Sequence, residues 1–509
     1  MASEQSLENS SPFYYATSLW VAFAILTIYY SIPDTSRGKI LPGAPVVGRK
    51  SILEPAWFTK LRFTVQGWEI AHRGWSKKFR NSSFTIIRPE SIITVIPNKY
   101  VDELRNISDD RLAAVEALVE DLMSNYTGID ILIGSHLSMN VVKTQLVPRL
   151  GSFIPIIEEE LDYGFQKEFP SCKDEWVKIN LNEVALRVVS RITARLFVGF
   201  PLCQNEEWLR LNEKIVPEIF SLLFPRYLHP VVAFLLPSRY NLVQYTKRIH
   251  AYLVPLIDER RQQQAQGKKL DWDIITWMME LANDTEYPAE NIAQRYIYTI
   301  IGSLHTVTAA VVDTVYDLCE RPDYVESLRQ EVVDVLRETN GWRKDTASKM
   351  LMMDSFMKEV QRVNPPSALG FKRIVKDPNG ITLSDGFHLP QGTRICTTST
   401  SHLKDTIAPL GQDSFDGFRY YKKRFDPGYS TRYQYTATDK EHIHFGHGKY
   451  ACPGRFVASN EIKMFIGKML LKYDFEFPDG QRRRPPNKTI LELSFQDPTA
   501  RILVRERKA

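Results

Sequence analysis

Cys452 stands in the run Phe445-Gly446-His447-Gly448-Lys449-Tyr450-Ala451-Cys452-Pro453-Gly454-Arg455, the pattern F-x-x-G-x-x-x-C-x-G. It places one cysteine in a glycine-rich loop just ahead of a helix. That helix is legible, because Ile462, Phe465, Ile466, Met469, Leu470 and Tyr473 recur at helical spacing. Pro453 supplies a helical φ at its start and has no N–H to leave unpaired. A sulfur held there faces unsatisfied amides and the positive end of the macrodipole, and both are expected to lower its pKa. The glycines let the backbone approach a flat ligand closely. The combination reads as a site for a cysteinate ligand to iron. The alternative is a buried, inert thiol, the usual state of a free cysteine.

Two other groupings need elements to position them. Residues 296–318 (YIYTIIGSLHTVTAAVVDTVYDL) are apolar nearly all round, the pattern of a helix buried in a large core. A second membrane span is the competing reading, and His305 and Asp313 argue against it. Ser303, His305, Thr306 and Thr308 cluster at its middle, and polar groups in a buried helix need partners. Thr306 could equally bond its own i−4 carbonyl. The other grouping is Glu359-x-x-Arg362. Glu207/Arg210 and Glu326/Arg329 share the spacing, and a surface pair is its ordinary meaning. Context selects Glu359, which lies 93 residues before Cys452 on a helix ending at Asn364-Pro365-Pro366, ahead of a β-rich stretch that includes residues 381–386 and 389–393.

In this order the motifs resemble those of the cytochrome P-450 monooxygenases, and the resemblance covers most of the chain. It implies a fold that is mainly α with a smaller β-rich lobe, and haem b held by an axial Cys452 thiolate, with Phe445 and Gly448 in the loop around it. The long central helix would cross the distal face of the haem. The family carries A/G-G-x-D/E-T there. Gly302-Ser303-Leu304-His305-Thr306 matches with two departures, Ser303 for a glycine and His305 for the acid. Fungal members that build natural products often resemble this chain in having histidine there. Thr306 would hold dioxygen and a water, and His305, with a pKa that can sit near neutrality, would help deliver protons. Arg373 matches the strand arginine that contacts a haem propionate. Tyr450 stands where Arg or His is usual, which weakens one such contact. Lys143, near His136, matches a helix donor weakly and reads equally well as a solvated lysine. Glu359, Arg362 and Arg419 would form a buried structural ion cluster.

Composition narrows the remaining choices. The chain has 509 residues, 43% of them hydrophobic, enough for a large core. Its 65 Lys+Arg against 60 Asp+Glu describe mixed surfaces and exclude a nucleic-acid stripe. Five scattered cysteines with no C-x-x-C pair indicate neither a zinc site nor a disulfide framework, and they fit a reducing compartment. No G-x-G-x-x-G dinucleotide fingerprint or flavin domain stands out, so electrons are expected from NADPH through a separate flavoprotein reductase.

The N-terminal region reads as an anchor. Residues 13–32 (FYYATSLWVAFAILTIYYSI) carry no charge and are long enough to span a bilayer, with aromatics at both ends. Glu4 and Glu8 precede them, and Arg37, Lys39, Arg49 and Lys50 follow. The expected topology is a short lumenal N-terminus (1–12), a transmembrane helix (13–32), a Pro/Gly hinge (33–50) and a cytosolic catalytic domain (51–509) on the endoplasmic reticulum. A cleaved signal peptide is the alternative. Residues 224–237 are apolar and proline-broken, either a buried core segment or a link that dips into the membrane surface.

The expected activity is insertion of one oxygen atom from dioxygen into a hydrophobic small molecule. By position, Leu304, Val307, Ala368, Leu369, Phe371 and Phe495 would wall the cavity. The C-terminal half resembles fungal oxidases of terpenoid, meroterpenoid and indole-diterpene pathways. A polyketide or alkaloid substrate, a non-oxygenating thiolate-haem isomerase or dehydratase, and a haem sensor module are the alternatives. Thr306 argues against the isomerase, since non-oxygenases often lose that residue.

Overall fold

The fold comes from a computed structural model that describes residues 38–51, 53–74, 79, 81–222, 236–399 and 415–508. The anchor at 13–32 and most of the proline-broken segment at 224–237 lie outside them. Among the described residues, no helix is long and apolar enough to cross a membrane. Of the Pro/Gly hinge, residues 38–50 lie on the body: Leu41 and Ala44 are buried, and β1 (Val46–Val47) pairs in parallel with β2 (Phe84–Ile87).

Nine helices of thirteen or more residues form the frame among the described residues: α1 (Ala56–Arg73), α2 (Leu150–Glu168), α3 (Leu181–Phe197), α4 (Glu206–Ser221), α5 (Pro237–Ala265), α6 (Ala289–Glu320), α7 (Val325–Thr339), α8 (Leu351–Val363) and α9 (Arg455–Lys472). Helix α6 is the axis. It buries Ile300, Leu304, Val311 and Val315 on one face and Tyr298, Val312 and Tyr316 on another, as its all-round apolar pattern requires. It packs on α3, α5, α8 and α9. Its acids are paired: Asp313 and Asp317 receive the Arg484 guanidinium at 2.5 and 2.9 Å. That arrangement is how a core tolerates charge.

The β lobe is a six-stranded sheet of order β1-β2-β3-β9-β6-β4, in which β3 is Ile92–Val95, β4 Leu112–Ala113, β6 Leu369–Val375 and β9 Arg394–Thr398. Residues 85–97 (TIIRPESIITVIP) are rich in β-branched residues and read as strands with a turn at Pro89-Glu90; that hairpin is present, with Ile87 opposite Ile92. Three smaller sheets complete the lobe: β10 (Tyr473–Glu476) with β13 (Ile502–Glu506) and β5 (Val177–Ile179), β11 (Lys488–Ile490) with β12 (Leu493–Phe495), and β7 (Ile381–Thr382) with β8 (His388–Leu389).

Glu359, on α8, is fully buried. Arg362 grips both carboxylate oxygens at 2.8 and 2.7 Å, Arg419 approaches them at 3.2–3.3 Å, and the Asp416 amide donates at 3.0 Å. The expected Glu–Arg–Arg cluster is thus formed, and it ties α8 to the segment 416–419. Helix α9 differs from expectation at both ends. Gly454 is its N-cap, which leaves Pro453 outside the helix, and Tyr473 begins β10 instead of closing the last turn.

Candidate active site

The loop before Cys452 is held by glycine geometry. Gly446 and Gly448 take φ of +68° and +79°, where a side chain is strained. A Cβ on Gly448 would also fall 2.5 Å from the Arg105 Cβ. The Cys452 amide donates to the Phe445 carbonyl at 2.6 Å and closes the loop on itself. The Phe445 ring meets Tyr435 edge-on at 5.4 Å. Arg455 donates to the carbonyls of Cys452 (2.7 Å) and Thr436 (3.2 Å). The His447 ring bridges Thr438 Oγ1 (3.0 Å) and Arg105 Nη1 (3.2 Å). Sequence reasoning missed both: His447 falls at a position the loop pattern leaves open, and Arg105 lies far outside the pattern in the chain.

The Cys452 thiol departs from expectation. Burial raises its pKa, and the Gly454 and Arg455 amides with the Arg455 charge offset only part of that rise. The helix start therefore does not make a thiolate by itself. A coordinated metal would do so, as it deprotonates a ligating thiol outright.

Arg373 is bound into the neighbouring sheet. The register of β6 against β9 shifts between Gly370 and Arg373, and Phe371 adopts φ +52°. A bulge of this kind re-aims the side chains around it. The Arg373 guanidinium lies 4.1 Å from the Phe371 ring and 5.4 Å from that of Tyr450. It is 7% exposed, and its described hydrogen bond is to its neighbour's carbonyl, Lys372 O, at 2.8 Å. Burial lowers its pKa to about 10. No carboxylate among the described residues forms an ion pair with it, although the Asp109 charge is felt by both Arg373 and Tyr450, and the buried Tyr450 hydroxyl makes no well-formed hydrogen bond. A buried cation and a buried donor, side by side and unmatched, fit an anionic ligand edge.

Helix α6 shows an open strip. A methyl group added at Gly302 would meet nothing within 4 Å. Thr306, one turn on, is exposed, although Ile300, Leu304, Val307 and Thr308 around it are buried. A gap in the middle of a core helix suits a flat ligand. The Thr306 hydroxyl bonds back to the Gly302 and Ser303 carbonyls at 3.0 and 3.1 Å.

His305 does not share that strip. Successive helical residues are ~100° apart, and its ring turns to α4, with Nε2 3.2 Å from the Glu213 carbonyl. Burial pushes its pKa down to about 4, so the near-neutral value expected from sequence is corrected: the ring is uncharged at physiological pH. The polar cluster is therefore divided among faces. Lys143 is exposed on a π-helical turn, Val142–Leu146, and makes no hydrogen bond or ion pair among the described residues. Val142 reaches the cysteine loop, 3.9 Å from where a Gly454 Cβ would be.

The residues brought together thus fit an iron porphyrin: a sulfur ligand in a glycine loop, an unmatched buried Arg–Tyr pair for propionates, and an open strip on the helix above. The model of the cytochrome P-450 family matches residues 134–504. The chain belongs to the cytochrome P-450 family. A cytochrome P-450 monooxygenase of Emericella nidulans is 41% identical over 473 residues, covering 91% of this chain and 88% of that protein. An ent-kaurene oxidase of Gibberella intermedia is 38% identical, covering 96% and 93%. The cytochrome P-450 monooxygenase paxP of Penicillium paxilli is 35% identical, covering 97% and 96%. A retinoic acid bound cyanobacterial P-450 shares the fold with a TM-score of 0.69 at 19% identity, covering 92% of this chain and all of that one. As a P-450 monooxygenase, this chain uses haem-thiolate iron, receives NADPH electrons through a reductase, and acts on hydrophobic substrates.

Proposed function

We propose that this P-450 inserts one oxygen atom from dioxygen into a terpenoid-derived intermediate of fungal secondary metabolism. The open strip at Gly302 and Thr306 carries the reading, because it leaves room for ligand on one face of an otherwise buried helix. The names of the ent-kaurene oxidases among its relatives support the terpenoid class. Phe371, Leu369 and Ala368, with Leu304 and Val307 on α6, give the cavity apolar walls.

Cys452 would supply the sulfur that holds the iron, and Phe445 and Gly448 shape the loop around it. Arg373 and Tyr450 would hold the propionates, with Lys143 as a further donor from its helix. Haem bound there would supply the activation of dioxygen and its transfer to an unactivated C–H bond, chemistry that a thiolate ligand favours. Thr306 presents its hydroxyl to the open strip and orders a water there for proton delivery. Residues 13–32 anchor the chain in the endoplasmic reticulum with the body facing the cytosol, a reading that rests on the charge asymmetry around them.

The test is reconstitution with an NADPH reductase in membranes, fed with tricyclic and tetracyclic diterpene hydrocarbons under ¹⁸O₂. Incorporation of one labelled oxygen supports the reading. Turnover confined to polyketide or alkaloid substrates overturns the terpenoid assignment, and protection of the body from protease in sealed microsomes overturns the topology.

A further inference from the structure

Helix α4 carries a proline in its interior, Pro217. Proline has no N–H, so the carbonyl four residues back, Glu213 O, loses its ordinary helical donor. That carbonyl is the one His305 Nε2 approaches at 3.2 Å from α6. A carbonyl can only accept, so the ring nitrogen facing it carries the proton. The Glu213 carboxylate is engaged elsewhere, with Arg187 Nη1 at 2.8 Å. A second tie between the helices lies further back, from the Tyr296 hydroxyl to Asn212 Oδ1 at 3.3 Å. Past Pro217, α4 carries Phe220, whose ring meets Phe495 of β12 edge-on at 6.2 Å.

We propose that His305 is a positioning residue: its Nε2–H caps the carbonyl that Pro217 leaves without a donor, and so pins the C-terminal half of α4, with Phe220, to the distal helix. The histidine and the proline are one device split between two elements. Its bearing on substrate rests on the function proposed above, whereas the pinning depends only on the two helices.

The experiment uses the full chain loaded with haem and compares His305→Ala, His305→Gln, Pro217→Ala and the double variant Pro217→Ala with His305→Ala. Two quantities are measured: amide hydrogen exchange over residues 214–222, and spectral affinity for 4-phenylimidazole against unsubstituted imidazole, which is too small to fill the cavity. His305→Ala should speed exchange and weaken 4-phenylimidazole by roughly tenfold each, the scale of a buried acceptor losing its donor. Imidazole affinity should stay within about twofold. A glutamine amide donates an N–H but has no proton to relay, so His305→Gln should restore most of both quantities. In the Pro217→Ala background the new amide supplies the missing donor, and His305→Ala should then cost less than about twofold. The proposal is overturned if His305→Gln is as impaired as His305→Ala, or if His305→Ala has the same effect in both backgrounds. Both readouts are independent of the natural substrate, so a wrong substrate class would leave the result standing.

Discussion

The Arg373 guanidinium sits 5.4 Å from the Tyr450 ring, and Arg373 forms no ion pair among the described residues, the Asp109 carboxylate acting on both side chains only through its charge. An arginine this buried is costly to leave uncompensated. The pair has room for a further anion, and in the proposed site a haem propionate would fill that place.

Arg373→Ala should therefore loosen the cofactor more than it loosens the fold. A charge-assisted hydrogen bond is worth ~1.5–3 kcal/mol, so haem transfer to a scavenging globin should quicken by roughly 10- to 100-fold. Tyr450→Phe should quicken it only a few-fold, and Tyr450→Arg should slow it. Unchanged transfer in Arg373→Ala would remove this residue from the site.

Thr306→Ala should leave haem content and melting temperature near those of the parent, because the side chain is exposed and bonds only its own helix carbonyls. It should divert NADPH electrons to hydrogen peroxide. A positioned proton-delivery group is worth ~10²–10⁴-fold, so the loss of product per NADPH should be plain. Unchanged coupling would mean that the hydroxyl only caps the helix.

Glu359→Gln should be strongly destabilising. It keeps the volume of the side chain but leaves two buried guanidinium groups without their anion. Breaking a buried ion network typically costs ~3–5 kcal/mol, which denaturant unfolding of the holoprotein would register.

The pH dependence of stability should carry two opposing contributions. Glu461 is buried with Oε1 unpartnered, and burial pushes its pKa up to about 8. Its folded value lies above the unfolded one, so its stability is full below about pH 4.5 and is lost as pH rises toward 8. Glu461→Gln should then stabilise the protein by on the order of 2 kcal/mol at pH 7, with the gain vanishing near pH 4.5. His305 has the opposite sign. Its pKa falls from 6.5 to about 4, so the unfolded state takes up the proton first and stability drops as pH falls through that window. His305→Gln should flatten the acid limb. Thermal melts from pH 4 to 8 would separate the two.

What the sequence disclosed depended on whether a signal was local. The cysteine loop, the buried apolar helix, the hairpin about Pro89-Glu90 and the Glu359–Arg362 helix could each be read, because each is a short pattern with its own physical meaning. The direction in which His305 faces could not, since helical phase alone does not say which neighbour packs there. Its low pKa follows from that neighbour, so it was equally hidden. The role of Pro217 was half visible: a proline within a helical pattern marks an orphaned carbonyl, but its donor comes from a helix some ninety residues away in sequence. The pairing of Arg373 with Tyr450 depends on a bulge and a positive φ at Phe371, which no residue type announces.

The central claim is that Cys452 is the thiolate ligand of a haem held between its loop and α6. The most direct measurement is the carbon monoxide difference spectrum of the reduced protein, taken for the parent chain and for Cys452→Ala. The account predicts the red-shifted thiolate-type Soret band in the parent and its complete loss in the variant, with Cys172, Cys203, Cys319 and Cys396 still present in both. Survival of that band in Cys452→Ala would contradict it.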